Sequence, residues 1–376
     1  MTSESSSLKL RQHLADSALA EILERAAPIL GRVDEDGEST LSSPTSNWMS
    51  KISDETRLVD MNIPGTHDAA TWDYSAARQA ELIKYTGPMR DSVFFRCQER
   101  SLLRSLNDGI RMFDLRLGYN PGNDTIGFYH GTALLGPTTT LQDVLYGLYN
   151  WLIAHPSETI LVSINQEAGS NTLYDKKFEE ILFATLNNEI GKKFWLPVMG
   201  ELGTLGAARG KLILLQRFTY QLFSFPGPAN PFGIHLDAEQ WTPNGGDIKL
   251  VYNKEPKRVA YIQDTFMPLV PPHSTADANI SSKFEAVTGH LTKAMNATTA
   301  DTNNDVEGAL YICFASAHKN ADKITPNIIA LGDASTTGMN ERLLPWVKEH
   351  KGKRFGVLLL DFYHSQPELL KAFIGL

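Results

Sequence analysis

Two histidines and an arginine follow or end short apolar runs, where they could act together on one substrate. His67 comes directly after VDMNIPGT, and His130 ends TIGFYH. Asp114 and Arg116 lie two residues apart in GIRMFDLRLG, so in a strand their side chains point to the same face. Two charges on the inner face of so apolar a strand are costly unless they are paired or used.

Polar side chains also close the other apolar runs, which is hard to explain as packing. The runs ETILVSINQE, KLILLQR, VAYIQD and FGVLLLD contribute, in chain order, Asn165 and Glu167, Arg217, Asp264, and Asp361. A concave site with two histidines, two arginines and several carboxylates suits an anionic phosphate ester with a polyhydroxylated head group. Such groups would have to converge at one end of a sheet.

Short apolar runs alternate with amphipathic ones from residue 58 onward, about eight times. This rhythm predicts an α/β protein, specifically a TIM-type (β/α)8 barrel with some irregularity, whose chemistry lies where the strands end. The irregular stretch 218–257, rich in Pro and Gly, is expected to form a long loop over one end. The predicted strands are 58–63, 110–117, 125–130, 159–165, 211–216, 258–263, 309–315 and 354–361. The predicted helices include 98–107, 139–154, 173–190, 281–296 and 339–350.

The N-terminal residues differ from this rhythm. Apolar side chains at helical spacing over 8–26 precede a polar tract that runs to about residue 46. The sequence therefore predicts an N-terminal helical extension and linker at 1–46, followed by the barrel at 47–376.

The composition limits the classes of partner that the protein could bind. The formal net charge of −8 over 376 residues excludes nucleic acid as a natural partner, because duplex binding rests on clustered Lys and Arg. No run approaches the ~18 apolar residues of a membrane span, so lipid contact should be transient and peripheral. We expect a monomer that is cytoplasmic or peripheral to the membrane, with secretion by a non-standard route left open.

Four motifs together resemble the X-domain signature of bacterial-type phosphatidylinositol-specific phospholipases C. They are IPGTHDAAT, GIRMFDLRLG, FYHG and LYNWLIAHPSETILVSINQE. Weaker similarity continues through ARGKLILLQRF, IQD and LLLDFYHSQPELL, so the resemblance spans roughly residues 57–373 in order. It implies cleavage of phosphatidylinositol or a related inositol phospholipid to diacylglycerol and inositol 1,2-cyclic phosphate.

The resemblance also implies roles for the catalytic residues. His67 would be the general base on the inositol 2-hydroxyl, with Asp361 fixing its tautomer. His130 would be the general acid that protonates the leaving alkoxide, with Asp68 assisting it. Arg116 would neutralise a non-bridging phosphate oxygen.

Arg116 also bears on the question of a metal. Signalling relatives of the family carry a carboxylate at this position, which helps to bind calcium. A guanidinium supplies the charge and repels the ion, so we expect no metal and no other cofactor. A calcium-assisted variant that uses Asp68, Asp114 and Glu167 stays open.

Head-group contacts are implied less completely. Glu167, Arg217 and Asp264 match family positions that contact inositol hydroxyls, and Asp237 is a further candidate. Asn165 stands where a lysine is usual, and Phe266 where a tyrosine usually stacks on the inositol ring. Substrate preference is therefore open, and phosphorylated inositides remain candidates.

Other residues have plainer interpretations. His155 and Glu158 are expected to orient a turn at the far end of the barrel, and His235 and His318 to lie on the surface or in loops. His364 follows Asp361 closely enough to approach the site. Candidate lipid contacts in and after the loop FSFPGPANPFG are Phe223, Phe225, Phe232 and Trp241.

Two alternative functions remain from the sequence. One keeps the barrel and changes the substrate to a glycerophosphodiester or another lipid phosphodiester, a class that generally depends on a metal. The other is a catalytically weak inositide-binding barrel. Degenerate family members usually lose a histidine or the arginine first, whereas His67, His130 and Arg116 are all retained here.

Overall fold

The computed structural model describes residues 2–32, 44–224, 232–297 and 308–376. In this part of the chain the strands are β1 (Ile63–Thr66), β2 (Met112–Tyr119), β3 (Ile126–His130), β4 (Ala133–Leu134), β5 (Ile160–Gln166), β6 (Leu212–Arg217), β7 (Ile234–His235), β8 (Ile248–Lys254), β9 (Lys257–Gln263), β10 (Leu310–Phe314), β11 (Gly332–Asp333), β12 (Thr336–Thr337) and β13 (Val357–Leu360). The helices are α1 (Thr2–Leu30), α2 (Ala76–Thr86), α3 (Leu102–Asp108), α4 (Leu141–Ala154), α5 (Lys176–Leu186), α6 (Gly191–Phe194), α7 (Leu205–Ala208), α8 (Ala276–Asn296), α9 (Pro326–Leu331), α10 (Met339–Glu349) and α11 (Pro367–Ile374).

The main sheet is a TIM-type barrel, as predicted. Its strand order is β7-β6-β5-β2-β1-β13-β10-β9-β8, and every pair from β7 round to β9 is parallel. β8 is antiparallel to β9 and lies at the other end of this path. Because parallel neighbours end at the same edge, the residues that follow β1, β2, β5, β6, β9 and β13 meet at one face of the barrel.

Two strand predictions were wrong in detail. The strand predicted at 125–130 is β3, but it pairs antiparallel with β2 instead of joining the parallel series. The turn between β2 and β3 is closed by a hydrogen bond from the amide of Asn120 to the carbonyl of Thr125. A connection this short allows a hairpin and not a parallel crossover. The strand predicted at 58–63 is a 3-10 turn over Leu58–Asp60, and β1 begins only at Ile63.

The loop predicted at 218–257 also contains regular structure. It includes β7, which pairs parallel with β6, and the whole of the hairpin strand β8. β7 is only two residues long and follows a segment rich in Pro and Gly, so it leaves no period-two signal. The five predicted helices are confirmed as α3, α4, α5, α8 and α10.

The helical N-terminal extension is confirmed as α1. Its last turns are buried against the barrel core through Ala26, Ile29 and Leu30. Gly147 in α4 allows the close approach, because a Cβ there would lie 2.1 Å from a methyl carbon of Leu30. The predicted linker falls largely at 33–43, outside the described residues, and the division into two domains stays a prediction. Within the described ranges, no helix has the length and hydropathy needed to cross a bilayer.

A buried ion pair lies at the end of the barrel opposite the carboxyl ends of the parallel strands. Arg111 and Glu158 are both fully buried, 2.6 Å apart. Arg111 also donates to the carbonyls of Ser46, Leu106 and Ile110. The expected structural role of Glu158 fits this network.

Replacing Glu158 with alanine is expected to lower the free energy of unfolding by about 3–5 kcal/mol, because the Arg111 charge would remain buried without its partner. Urea unfolding followed by circular dichroism measures the change. An exposed pair, Lys371 and Glu368, provides the control, and Glu368→Ala should leave the stability almost unchanged. A Glu158→Ala protein as stable as the unmodified chain would contradict this interpretation of the network.

Candidate active site

A cavity of about 730 Å³ opens at the face where the parallel strands end. Its lining includes nearly all the site residues singled out from the sequence. They are His67, Arg116, His130, Asn165, Glu167, Arg217, Asp264, Phe266 and Asp361. Asp68 and Asp114 lie beneath them, both almost fully buried.

His67 and Asp361 meet because of the register between β1 and β13. Thr66 is paired with Leu360, so the next residue of each strand lies beside the other. Nδ1 of His67 is 2.9 Å from Oδ1 of Asp361, which leaves Nε2 of the ring facing the cavity. This contact fixes the orientation of the imidazole.

Arg116 lies at the centre of the site. Its Nη2 is 2.9 Å from Nε2 of His67, and its Nε is 3.0 Å from Oδ1 of Asp68. The guanidinium also contacts Asp114 at 3.3 Å and Glu167 at 3.6 Å. Before substrate arrives, Nε2 of the candidate base therefore faces both this guanidinium and Oδ2 of Asp68, which is 3.1 Å away.

His130 reaches the site because β3 folds back along β2. Its Nδ1 donates to the carbonyl of Phe95 over 2.6 Å, so this nitrogen carries a proton. Nε2 then lies 3.3 Å from Oδ2 of Asp68. The rings of His67 and His130 are nearly perpendicular, with centroids 6.2 Å apart. The two imidazoles thus flank Arg116 and Asp68.

Burial sets the protonation of the site. Desolvation, followed by the charge of Arg116, holds the pKa of His67 well below its usual value and lowers the pKa of His130 to about 4. Desolvation raises the pKa of both Asp68 and Asp361 well above the usual range. Both imidazoles are therefore neutral at pH 7 before substrate binds, and burial opposes negative charge on the two carboxyl groups.

Three candidate head-group contacts, Arg217, Asp264 and Phe266, lie on one wall of the cavity. The guanidinium of Arg217 lies 3.9 Å from the centroid of the Trp241 ring and 3.2 Å from Asp114. The indole N–H of Trp241 donates to Asp264 over 2.8 Å. Phe266 presents an aromatic ring beside them. Trp241 thus fixes both Arg217 and Asp264.

The structure does not bring Asp237 into the lining of the cavity. Its carboxylate instead accepts hydrogen bonds from the amide of Glu239 and the side chain of Gln240. The neighbouring Glu239 does line the cavity. A head-group contact by Asp237 stays a prediction with no geometric support.

His318 lies in a loop, as expected, but the sequence analysis did not place it in the cavity. It lines the cavity and stacks against Phe266 with ring centroids 6.0 Å apart, and burial lowers its pKa to about 4. The rule applied to the other strands could have found it, because FASAH follows the apolar run of β10. His364 instead contacts Arg100.

Of the predicted lipid contacts, only Phe232 is contradicted by the structure. Phe232 is buried and stacks on Trp195, and Trp241 belongs to the cavity wall. Phe223 packs against Phe183. Phe225 lies outside the described residues. Exposed apolar side chains do occur at other positions, and two of them, Leu222 and Met267, directly follow the lining residues Gln221 and Phe266 in the chain.

The three carboxylates that a calcium ion would use surround a guanidinium. Asp68, Asp114 and Glu167 each contact Arg116, which therefore occupies the centre of the would-be site. In the part of the chain that the structure describes, His67, Asp68 and Cys97 also place donor atoms within 4.8 Å of one another. The first two of these are likewise in contact with Arg116.

Comparison with known proteins confirms the resemblance and the fold. Residues 84–218 match the family model "Phosphatidylinositol-specific phospholipase C, X domain". The crystal structure of a phosphatidylinositol-specific phospholipase C from Staphylococcus aureus superposes with a TM-score of 0.64 at 22% identity, covering 89% of this chain and 99% of that one. The structure of the enzyme from Listeria monocytogenes superposes with a TM-score of 0.58 at 23% identity, covering 88% of this chain and 97% of that one. The fold is that of the bacterial phosphatidylinositol-specific phospholipase C barrels.

Curated relatives share part of the sequence. A 1-phosphatidylinositol phosphodiesterase from S. aureus is 29% identical over 208 residues, 54% of this chain and 60% of the relative. A 1-phosphatidylinositol phosphodiesterase from L. monocytogenes is 30% identical over 179 residues, which are 46% of this chain and 49% of the relative. The chain thus spans between about half and 60% of these relatives. The family model begins after His67 and Asp68 and ends before Asp361, so for these three residues the geometry is the independent support.

Proposed function

We propose that this chain is a phosphatidylinositol-specific phospholipase C that needs no metal and forms diacylglycerol and inositol 1,2-cyclic phosphate. The observation that carries the proposal is the placement of one guanidinium between two buried, neutral imidazoles, His67 and His130. In-line displacement at phosphorus needs a base, an acid on the opposite side, and positive charge for the equatorial oxygens.

The first step uses the Nε2 lone pair of His67. When the phosphodiester enters, its negative charge draws the guanidinium of Arg116 to a non-bridging oxygen, which frees Nε2. The imidazole then accepts the proton of the inositol 2-hydroxyl as that oxygen attacks phosphorus. Asp361 holds Nδ1 and stabilises the imidazolium that forms.

The second half of the displacement uses His130. The bond from phosphorus to the diacylglycerol oxygen breaks as Nε2 of His130 delivers a proton to that oxygen. The neutral ring can take up this proton from the carboxyl group of Asp68, whose Oδ2 is 3.3 Å away. Bound phosphate adds negative charge and offsets the effect of Arg116, so substrate binding itself raises the pKa of His130.

Phosphorus NMR of phosphatidylinositol in detergent micelles, with EDTA or with calcium, tests the proposal. Cyclic phosphate formed equally under both conditions is the expected result. Product only with calcium would overturn the metal-independent mechanism. Absence of product from any phosphatidylinositol preparation would overturn the proposed activity and bring back the binding-protein alternative.

The cavity favours a head group without additional phosphates. Its lining carries Glu167, Glu239 and Asp264, whereas Arg217 is already engaged with Asp114 and Trp241. Asn165 adds no charge at the position where relatives usually carry a lysine.

We therefore expect kcat/KM for phosphatidylinositol to exceed that for its 4-phosphate by roughly 100-fold, because like charges in a confined site are repulsive. Assays in matched mixed micelles measure the ratio. The variant Asn165→Lys supplies a cation at the cavity and should narrow the difference. Equal rates on the two lipids would contradict the proposed head-group selection.

We further propose that the enzyme contacts membranes transiently through the cavity rim. Leu222 and Leu269 are 53% and 79% exposed and follow lining residues closely in the chain. Aliphatic groups at a rim can enter the lipid interface.

Leu269→Asp is expected to weaken binding to phosphatidylcholine vesicles by about tenfold, in line with the loss of one buried apolar side chain. Vesicle co-sedimentation measures this. Leu14→Asp is the control, because Leu14 is 71% exposed but lies on α1. Equal loss in both variants would contradict contact through the rim.

A further inference from the structure

A buried carboxylate that takes no part in the chemistry fixes one wall of the cavity. Glu179 lies in the first turn of α5 and is fully buried. It accepts hydrogen bonds from three consecutive backbone amides of the loop after β6: Gln221 at 2.7 Å, Leu222 at 2.8 Å and Phe223 at 2.7 Å. We call residues 218–224 the β6 loop.

The β6 loop forms part of the cavity lining. Phe218, Thr219 and Gln221 all face the cavity, directly after Arg217 at the end of β6. The loop has no helix or strand of its own, so its amides need partners from elsewhere. Tyr174 supplies a second support by donating to the carbonyl of Thr219 over 2.8 Å.

The arrangement couples a charge to a loop conformation. A buried carboxylate is costly unless hydrogen bonds satisfy it, and the carboxylate of Glu179 accepts hydrogen bonds from the three loop amides. If the loop moved away, the carboxylate and three amides would all lose their partners. Charge-assisted hydrogen bonds of this kind are roughly twice as strong as neutral ones, so the loop is held in place before substrate arrives.

We propose that Glu179 is a positioning residue for head-group binding. It acts through the β6 loop, whose side chains form the wall beside Arg217, and it keeps that wall in its binding conformation. This inference rests on the proposed function, because it assigns the wall to the inositol head group. His67, Arg116 and His130 are held by other elements, so the chemical step does not depend on Glu179.

The test compares Glu179→Ala with the matched control Glu180→Ala. Glu180 is the next residue of the same helix, and its side chain is 46% exposed beside Lys176. In Glu179→Ala we expect KM for phosphatidylinositol to rise on the order of tenfold, with kcat changed by about threefold or less, because preorganisation contributes to binding. Glu180→Ala should match the unmodified protein in both parameters.

Hydrogen exchange provides a readout that requires no activity. The amides of 221–223 should exchange faster in Glu179→Ala, whereas those of β1 and β13 should not. Glu179→Gln keeps the size and part of the acceptor capacity of the side chain, so its KM should lie between those of the unmodified protein and Glu179→Ala. If Glu179→Ala fails to fold, Glu179→Gln takes its place. An unchanged KM despite faster exchange, or a fall in kcat as large as the rise in KM, would overturn the proposal.

The design separates this inference from the proposed activity. If the unmodified protein cleaves no phosphatidylinositol, the proposed activity fails. Binding of myo-inositol, followed by saturation-transfer NMR, then takes the place of KM. Weaker binding in Glu179→Ala than in Glu180→Ala supports the positioning role, and equal binding overturns it.

Discussion

Replacing Arg116 with aspartate is expected to lower turnover of phosphatidylinositol in EDTA by about 10³–10⁵-fold, the range seen when a phosphate-stabilising arginine is removed. Calcium should then restore part of the activity. The new carboxylate would join Asp68, Asp114 and Glu167, which all contact the guanidinium at present. Four carboxylates around one position would offer the oxygen donors that Ca²⁺ takes.

The control is Arg116→Gln, which loses the charge without adding a ligand. It should show the same loss in EDTA and no response to calcium. Assays with each variant over a calcium series, together with calorimetric titration of the ion, separate binding from activation. Activity of Arg116→Gln within about tenfold of the unmodified protein would contradict the central role of the guanidinium. Calcium bound equally by both variants would contradict the proposed ligand set.

The grouping of the candidate catalytic residues was predictable because one local rule applies to it. A polar residue that closes an apolar strand in a parallel barrel lies at the mouth, wherever the strands fall in the chain. This rule brought together His67, Asp361 and Arg217, which are far apart in sequence. Its consistent application would also have found His318.

Other features of the site depend on tertiary contacts, and the sequence alone could not predict them. His130 satisfies the rule although β3 is antiparallel, because its hairpin turns back along β2 to the same face. Trp241 lies in an irregular segment without periodicity, so only the folded structure shows that it links Arg217 to Asp264. Glu179 looks like an ordinary helical glutamate, since neither its spacing nor its neighbours reveal that three loop amides will surround it.

Removing either imidazole should produce the other large effect. His67→Ala and His130→Ala are each expected to lower kcat by about 10²–10⁴-fold, the usual contribution of general acid–base catalysis. The double variant should be little slower than the slower single variant, because residues that act as a unit are strongly non-additive. Single-turnover assays measure the chemical step. His364→Ala is the control, since His364 lies away from the cavity lining and should keep its activity.

The pH dependence follows from the same pair. His67 acts as a base only when neutral, so kcat/KM rises as pH increases through its pKa. Burial and Arg116 lower this pKa, which places the acid limb below pH 6.5. The alkaline limb marks loss of the proton held by His130 and Asp68, whose carboxyl pKa is raised by burial. An acid limb above pH 6.5 in kcat/KM would mean that His67 is protonated in the free protein. That outcome would contradict the lowered pKa of His67.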